Sequence, residues 1–176
     1  QIATQAFGEY RERVRTRGVV YLPTTSYIEM NEWTLPASAA HAYADLLERE
    51  KRAGSFDLSK AFVRGGIWKN FLSRYPEANW MHKRMLALSE RLARLPAVER
   101  TEQMHTLLYS AQANDAYWHG LFGGLYLPHL RRAVYAALLE LERMLDRLDP
   151  RAASQRIDLA LDGDDELFLR NAGIQA

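Results

Sequence analysis

The chain has 176 residues, and an apolar content of 48% supports one globular core rather than a disordered segment. Its 23 basic residues are offset by 22 acidic ones, and a net charge of +1 gives no broad basic face for nucleic acid. The absence of cysteine excludes disulfides, thiolate metal sites and cysteine nucleophiles, and it suits a reducing cytoplasm, the compartment expected here.

No run of about 18 apolar residues occurs, so no membrane contact is expected. The chain opens on Gln1. It has neither an initiator Met nor a basic-then-apolar leader, as an excised piece would. Residues 1–17 are polar and helix-compatible, and Val19-Val20-Tyr21-Leu22 ahead of Pro23 reads as one buried strand or extended segment. A lone strand leaves its backbone groups without partners, so its neighbour is expected in a missing domain.

Pro36 suits a first helical turn, and Ala39, Tyr43, Leu46 and Leu47 recur at helical spacing, which predicts a helix over 36–52 closed by Gly54. Residues 55–66 read as a loop and 67–75 as a short helix. A longer helix starts at Pro76 with Met81, Met85, Leu88, Leu92 and Leu95 on one face, and Pro96 ends it. Residues 98–112 predict another helix with Met104, Leu107, Leu108 and Ala111 inward. From Pro128, Leu130, Val134, Leu138, Leu141, Leu145 and Leu148 alternate by four and three like a bundle seam, stopped by Pro150. The period then changes. Ile157, Leu159 and Leu161 alternate, Asp162-Gly163-Asp164-Asp165 turns, and Leu167 and Leu169 alternate again, as in a hairpin. The fold expected is mainly α and bundle-like, with short strand fragments at both ends.

Residues 112–129 carry the best candidate for chemistry, with three glycines, two imidazoles, a carboxylate and several aromatics in one stretch. Asp115, Tyr117, Trp118 and His119 are its candidate ligand-binding residues. The competing reading is a capped helix end, in which Asn114 or Asp115 satisfies backbone groups and Trp118 fills the core. In Tyr27-Ile28-Glu29-Met30-Asn31-Glu32-Trp33 two carboxylates lie beside two aromatics, the mixture that holds sugar hydroxyls and covers the apolar face of a pyranose ring. Glu29 and Trp33 are the candidates there, against a helix-entry segment with Trp33 buried and Glu29 solvated. In Asn79-Trp80-Met81-His82-Lys83-Arg84-Met85 the Met and Trp residues read as core and the Lys-Arg pair as a solvated face.

None of His41, His82, His105, His119 and His129 forms an HxxxH or HExxH pair, so no metal site is expected. Gly65-Gly66 and Gly123-Gly124 lack the Lys-Ser/Thr context of a phosphate loop, and no GxSxG elbow occurs. No cofactor is expected either.

Three segments, Tyr21 to Trp33, Tyr75 to Met85 and Asn114 to Gly124, resemble glycoside hydrolase family 57, and more closely its 4-α-glucanotransferase and α-amylase branch. The resemblance runs over nearly the whole chain in the same order and with similar spacing. It implies a distorted (β/α)7 barrel carrying a glutamate nucleophile and an aspartate acid/base, then a helical segment closing one side of the cleft, then a β-sandwich. On that basis residues 1–35 are the end of the barrel and its connection, 36–154 the central helical domain, and 155–176 the start of the C-terminal β domain. A retaining mechanism needs two carboxyl groups about 5–5.5 Å apart. Neither catalytic motif occurs in this chain, so no residue here is assigned a catalytic role and the segment alone is expected to be inactive. The family's last conserved region matches Asn114 to Gly120, with Ala113 where many relatives have Cys, and implies that Asp115, Trp118 and His119 face bound glucan. The partners implied are α-1,4-glucan or maltooligosaccharide and the barrel and β domains of the same parent. Self-association is expected of the isolated chain through apolar residues around 19–22 and 117–127. The rival reading is a free-standing helical binding or scaffolding module without catalytic activity.

Overall fold

The computed structural model describes residues 4–22, 24–118, 123–159 and 162–169. Among these, eight α-helices and one two-stranded sheet occur in chain order: α1 Phe7–Arg13, α2 Ile28–Thr34, α3 Ala37–Arg52, α4 Phe56–Ser59, α5 Trp68–Arg74, α6 Pro76–Arg94, α7 Glu102–Ala111, α8 Pro128–Leu148, β1 Ser154–Ile157 and β2 Glu166–Leu169. The mainly helical class predicted from periodicity is what the chain forms. Helix boundaries follow local chemistry. Tyr75 leaves the helical backbone, which a residue before proline disfavours, so α5 stops there, and Pro76 sits at the first position of α6, where its missing N–H costs nothing. Thr101 caps α7, its hydroxyl accepting the Met104 N–H at 3.3 Å.

The stretch 55–66, read from sequence as a loop, contains α4 and a 3-10 turn at Lys60–Phe62. Ser55 and Ser59 both donate to the Glu50 carboxylate, at 2.8 and 2.6 Å, and tie this short helix back to the end of α3.

Two apolar cores form. The larger packs α6 against α7 and α8 through Met81, Leu88, Leu92, Met104, Leu138 and Leu141, residues that share faces at helical spacing. The smaller joins Met30 of α2, Phe71 and Leu72 of α5, Ala78 at the start of α6, and Leu125. Helix α6 therefore belongs to both.

The expected strand at Val19–Leu22 does not form. These four side chains are 78–95% exposed, and no other strand among the described residues lies beside them to accept their backbone hydrogen bonds. The preceding α1 buries no residue either. At the other end the hairpin does form, antiparallel, with Ser154 opposite Leu169 and Ile157 opposite Glu166. The leucines that suggested it, Leu167 and Leu169, stay exposed while Phe168 between them is buried.

Phe168 is held by charge. The guanidinium groups of Arg84 and Arg151 sit over its ring at 5.5 and 4.8 Å. Both arginines also bond Glu142, the one buried charged side chain among the described residues. Arg91 bonds Asp146 at 2.8 Å, and Arg151 bonds the same carboxylate at 3.2 Å. Three arginines and two carboxylates thus clamp α6, α8 and β2 together. This corrects the reading of residues 79–85: Arg84 is part of the clamp rather than a solvated face, and Trp80 is 48% exposed rather than core.

Removing Glu142 leaves three arginines facing a single carboxylate. Glu142→Ala is expected to cost about 3–5 kcal/mol in urea unfolding, and an unchanged midpoint would contradict the assignment of this cluster as a fold determinant. Burial raises the carboxyl pKa of Asp146, but its bonds with Arg151 and Arg91 outweigh that and hold it below the ordinary range. Its contribution is therefore present above the unfolded-state value and lost as pH falls below about 4 toward the depressed folded value. Asp146→Asn should flatten the acid limb of the stability profile, and an identical profile for variant and wild type would show that this carboxylate does not report folding.

Candidate functional site

The second core ends in an aromatic surface built from three separate parts of the chain. Trp33 of α2 meets Trp118 with ring centroids 5.4 Å apart and planes tilted by 35°, and Tyr27 approaches Trp33 edge-on at 5.7 Å. The Tyr75 hydroxyl donates to the Trp33 carbonyl at 3.3 Å, and Tyr75 packs on Phe71 at 4.5 Å. Trp68 stacks on the other aromatic of α5, Phe71, at 5.1 Å with nearly parallel planes. Residues far apart in sequence, in the segments 21–33, 75–85 and 114–124, are brought to one place.

Backbone contacts that only glycine permits hold the parts in position. A Cβ on Gly65 would lie 1.9 Å from the Ser26 carbonyl oxygen, and one on Gly66 would lie 2.8 Å from the Met30 and Asn31 backbone. The Thr25 hydroxyl and the Ser26 N–H donate to the Gly65 and Gly66 carbonyls, both at 2.7 Å, which fixes the approach to α2. On the opposite side Gly124, with φ of +46°, presses against Trp118: a Cβ there would lie 1.9 Å from the Trp118 carbonyl oxygen, which accepts the Leu125 N–H at 3.0 Å.

The candidate residues divide by environment. Asp115 lies in the 3-10 turn Asn114–Ala116, is exposed, and makes no side-chain hydrogen bond or ion pair among the described residues. It therefore caps nothing there. Glu29 is exposed on the first turn of α2, again with no ion pair among the described residues. Trp33 and Trp118 are half-buried, and the Trp118 indole N–H is buried without a hydrogen-bond partner among the described residues. Tyr117 faces the other way. It is 4% exposed, donates its hydroxyl to the Ala111 carbonyl, and packs edge-on against His82; burial, with a smaller effect from Tyr135, pushes its pKa up to about 12. Its ring does not reach the surface that Trp118 shares. His119 lies outside the described residues. Of the apolar surface expected at 117–127, Leu125 is buried as Tyr117 is, while Tyr126 is 52% exposed.

His82 was not among the candidates. It stands edge-on to both Trp68 and Tyr117, and burial, then the Lys83 charge, lowers its pKa. It fills the seam between the two cores as a neutral ring. Among the described residues no group of three or more potential metal ligands is found, and no helix is long and apolar enough to cross a membrane.

Comparison with known proteins places this architecture. The family of "Alpha-amylase/4-alpha-glucanotransferase, middle domain" matches residues 66–145. That segment is similar to these middle domains. Over the whole chain, 44% of residues are identical to a 4-alpha-glucanotransferase of Thermococcus kodakarensis, and 46% over 165 residues to an alpha-amylase of Pyrococcus abyssi. The crystal structure of the 4-alpha-glucanotransferase from Thermococcus litoralis superposes with a TM-score of 0.74 at 43% identity, over 98% of this chain and 25% of that one. The chain spans about a quarter of the length of these relatives. The resemblance to the glucanotransferase and amylase branch of glycoside hydrolase family 57 is thus supported by sequence and by fold.

The glycine contacts make a direct test of how the site is held. Gly124→Ala should cost at least about 1–3 kcal/mol from left-handed backbone alone, with the Trp118 clash added. Tryptophan fluorescence should shift as Trp118 leaves Trp33. Wild-type stability and spectrum in this variant would show that the turn does not depend on close approach.

Proposed function

We propose that this chain is the helical middle segment of an α-1,4-glucan-active enzyme, a 4-α-glucanotransferase or α-amylase, and that the aromatic surface of α2 and the 114–118 turn lines its glucan cleft. The observation that carries the reading is the contact of Trp33 with Trp118, two flat apolar rings on segments that also carry the exposed carboxylates of Glu29 and Asp115. Sugar recognition asks for that pairing of apolar faces and hydroxyl acceptors. Tyr117 serves from beneath, anchoring the turn that presents Asp115 and Trp118, and His119 completes the same stretch.

In this reading residues 1–35 leave a catalytic barrel, 36–154 form the helical domain and 155–176 begin a β domain. Double displacement is performed by two carboxyl groups of the barrel. This segment binds and positions glucan, and by itself does not turn it over.

In the full-length protein, the carboxylate of Asp115 holding a glucan hydroxyl is worth about 1.5–3 kcal/mol, so Asp115→Ala should lower kcat/KM on maltooligosaccharide roughly 10- to 150-fold. Loss in kcat means the bond tightens in the transition state, whereas loss in KM means ground-state binding. The melting temperature should barely move, because the side chain makes no hydrogen bond or ion pair among the described residues. Wild-type kinetics with a lowered melting point would sink the assignment.

A further inference from the structure

The last carbonyls of a helix have no partner within it, and those at the end of α2 are satisfied from the end of α5. The Tyr75 hydroxyl donates to the Trp33 carbonyl at 3.3 Å, and the Arg74 Nη1 donates to the Leu35 carbonyl at 2.8 Å. Tyr75 is itself firmly placed. Its ring packs on Phe71 at 4.5 Å, and Pro76 after it keeps its backbone out of the helical region. Across the site, Tyr126 ends the 3-10 turn Gly124–Tyr126, whose first residue presses on the Trp118 carbonyl, and the Tyr126 N–H donates to the Gly123 carbonyl at 2.8 Å. The Tyr126 hydroxyl bonds that of Tyr75. Burial, then this bond, raise the Tyr126 pKa, and a bond that favours the protonated form is one that Tyr126 donates. Tyr75 thus accepts from the glycine turn and donates to α2, and accepting from one side leaves its own proton directed to the other.

We infer that Tyr75 is a positioning residue of the glucan site, relaying the placement of the 124–126 turn to α2 and so setting the Trp33 ring against Trp118. The inference rests on the reading of that surface as part of a glucan cleft. The two rings sit on elements anchored separately, α2 on Gly65 and Gly66 and the Trp118 turn on Gly124. Their contact, at 5.4 Å with a tilt of 35°, changes with any small slide of one element past the other. Helix α2 has seven residues, too few to hold its own place, so its position depends on bonds from outside. The Tyr75 hydroxyl joins the two anchors. It acts on sugar through the Trp33 backbone, and no contact between tyrosine and ligand is required. Loss of the relay weakens the binding of substrate and of transition state alike, which raises KM and leaves kcat nearly unchanged. Phenylalanine at either tyrosine keeps the ring packing and removes only the relay.

The test uses the full-length protein with Tyr75→Phe, Tyr126→Phe and the double variant. Each single variant should raise KM for maltooligosaccharide about two- to ten-fold, the worth of one net hydrogen bond, with kcat within about two-fold of wild type. The double variant should be no worse than Tyr75→Phe alone, as members of one relay behave. Circular dichroism without substrate reads the rings directly: the Trp33–Trp118 exciton couplet, identified as the difference between wild type and Trp33→Phe, should weaken in Tyr75→Phe and in Tyr126→Phe. A lower melting temperature with wild-type couplet and KM would overturn the inference, because a merely structural hydroxyl acts on stability alone. A weakened couplet with wild-type KM, where Trp33→Phe raises KM, would overturn the positioning role, and additive losses in the double variant would overturn the relay. Wild-type KM in Trp33→Phe sinks the cleft reading whatever the couplet does, so failure of that reading and failure of the relay are distinguishable.

Discussion

Glu142 is buried where α6 and α8 pack, and a carboxylate removed from water has to be matched by cations at bonding distance. Arg84, Arg151 and, at 4.0 Å, Arg91 provide that match. Each comes from a different turn or element, so the charge can be satisfied in only one relative placement of the two helices and the segment after α8. Apolar packing alone is tolerant of sliding. The ion cluster selects a register for it, and Phe168 beneath two guanidinium groups extends the same register to the hairpin.

That placement reaches the aromatic site through α6. Its first turn puts Ala78 into the core shared with Met30 and Phe71, while Met81 to Leu92 lie in the core shared with α7 and α8. Tyr75, the residue before the helix, bonds the Trp33 carbonyl. The surface that pairs Trp33 with Trp118 is therefore positioned from one side by a helix locked through charge and from the other by glycine backbone contacts at 65, 66 and 124. Ligand binding on aromatic faces needs such rigidity, since mobile aromatics would lose the energy of stacking to their own ordering.

Much of this was legible in the residues. Helix α8 carried its seam in a four-three leucine pattern, and prolines at 76 and 128 marked two helix starts correctly to the residue. The three motif segments were recognisable, and the Tyr27–Trp33 segment enters α2 with Glu29 exposed and Trp33 half-buried. What periodicity could not show is long-range pairing. Glu142 looks like an ordinary polar position in α8 until Arg84 and Arg151 are brought to it, 58 residues before and nine after. In the hairpin, alternation of Leu167 and Leu169 identified a strand but not which face is inward, because the face is chosen by the guanidinium pair waiting for Phe168. The Gly-Gly pairs lacked phosphate-loop context, and their actual use, close backbone approach, leaves no signature beyond the glycines themselves. Val19–Leu22 had strand composition without a strand partner among the described residues, and composition alone does not form a sheet.

We propose that residues of this helical segment form a wall of a glucan cleft. A crystal structure of the full-length protein with a maltooligosaccharide tests it most directly. A glucose ring is expected against the Trp33–Trp118 face, with a sugar hydroxyl within about 3 Å of the Asp115 carboxylate. Oligosaccharide bound productively in the barrel, with Asp115 and both tryptophans in contact only with solvent, would contradict it.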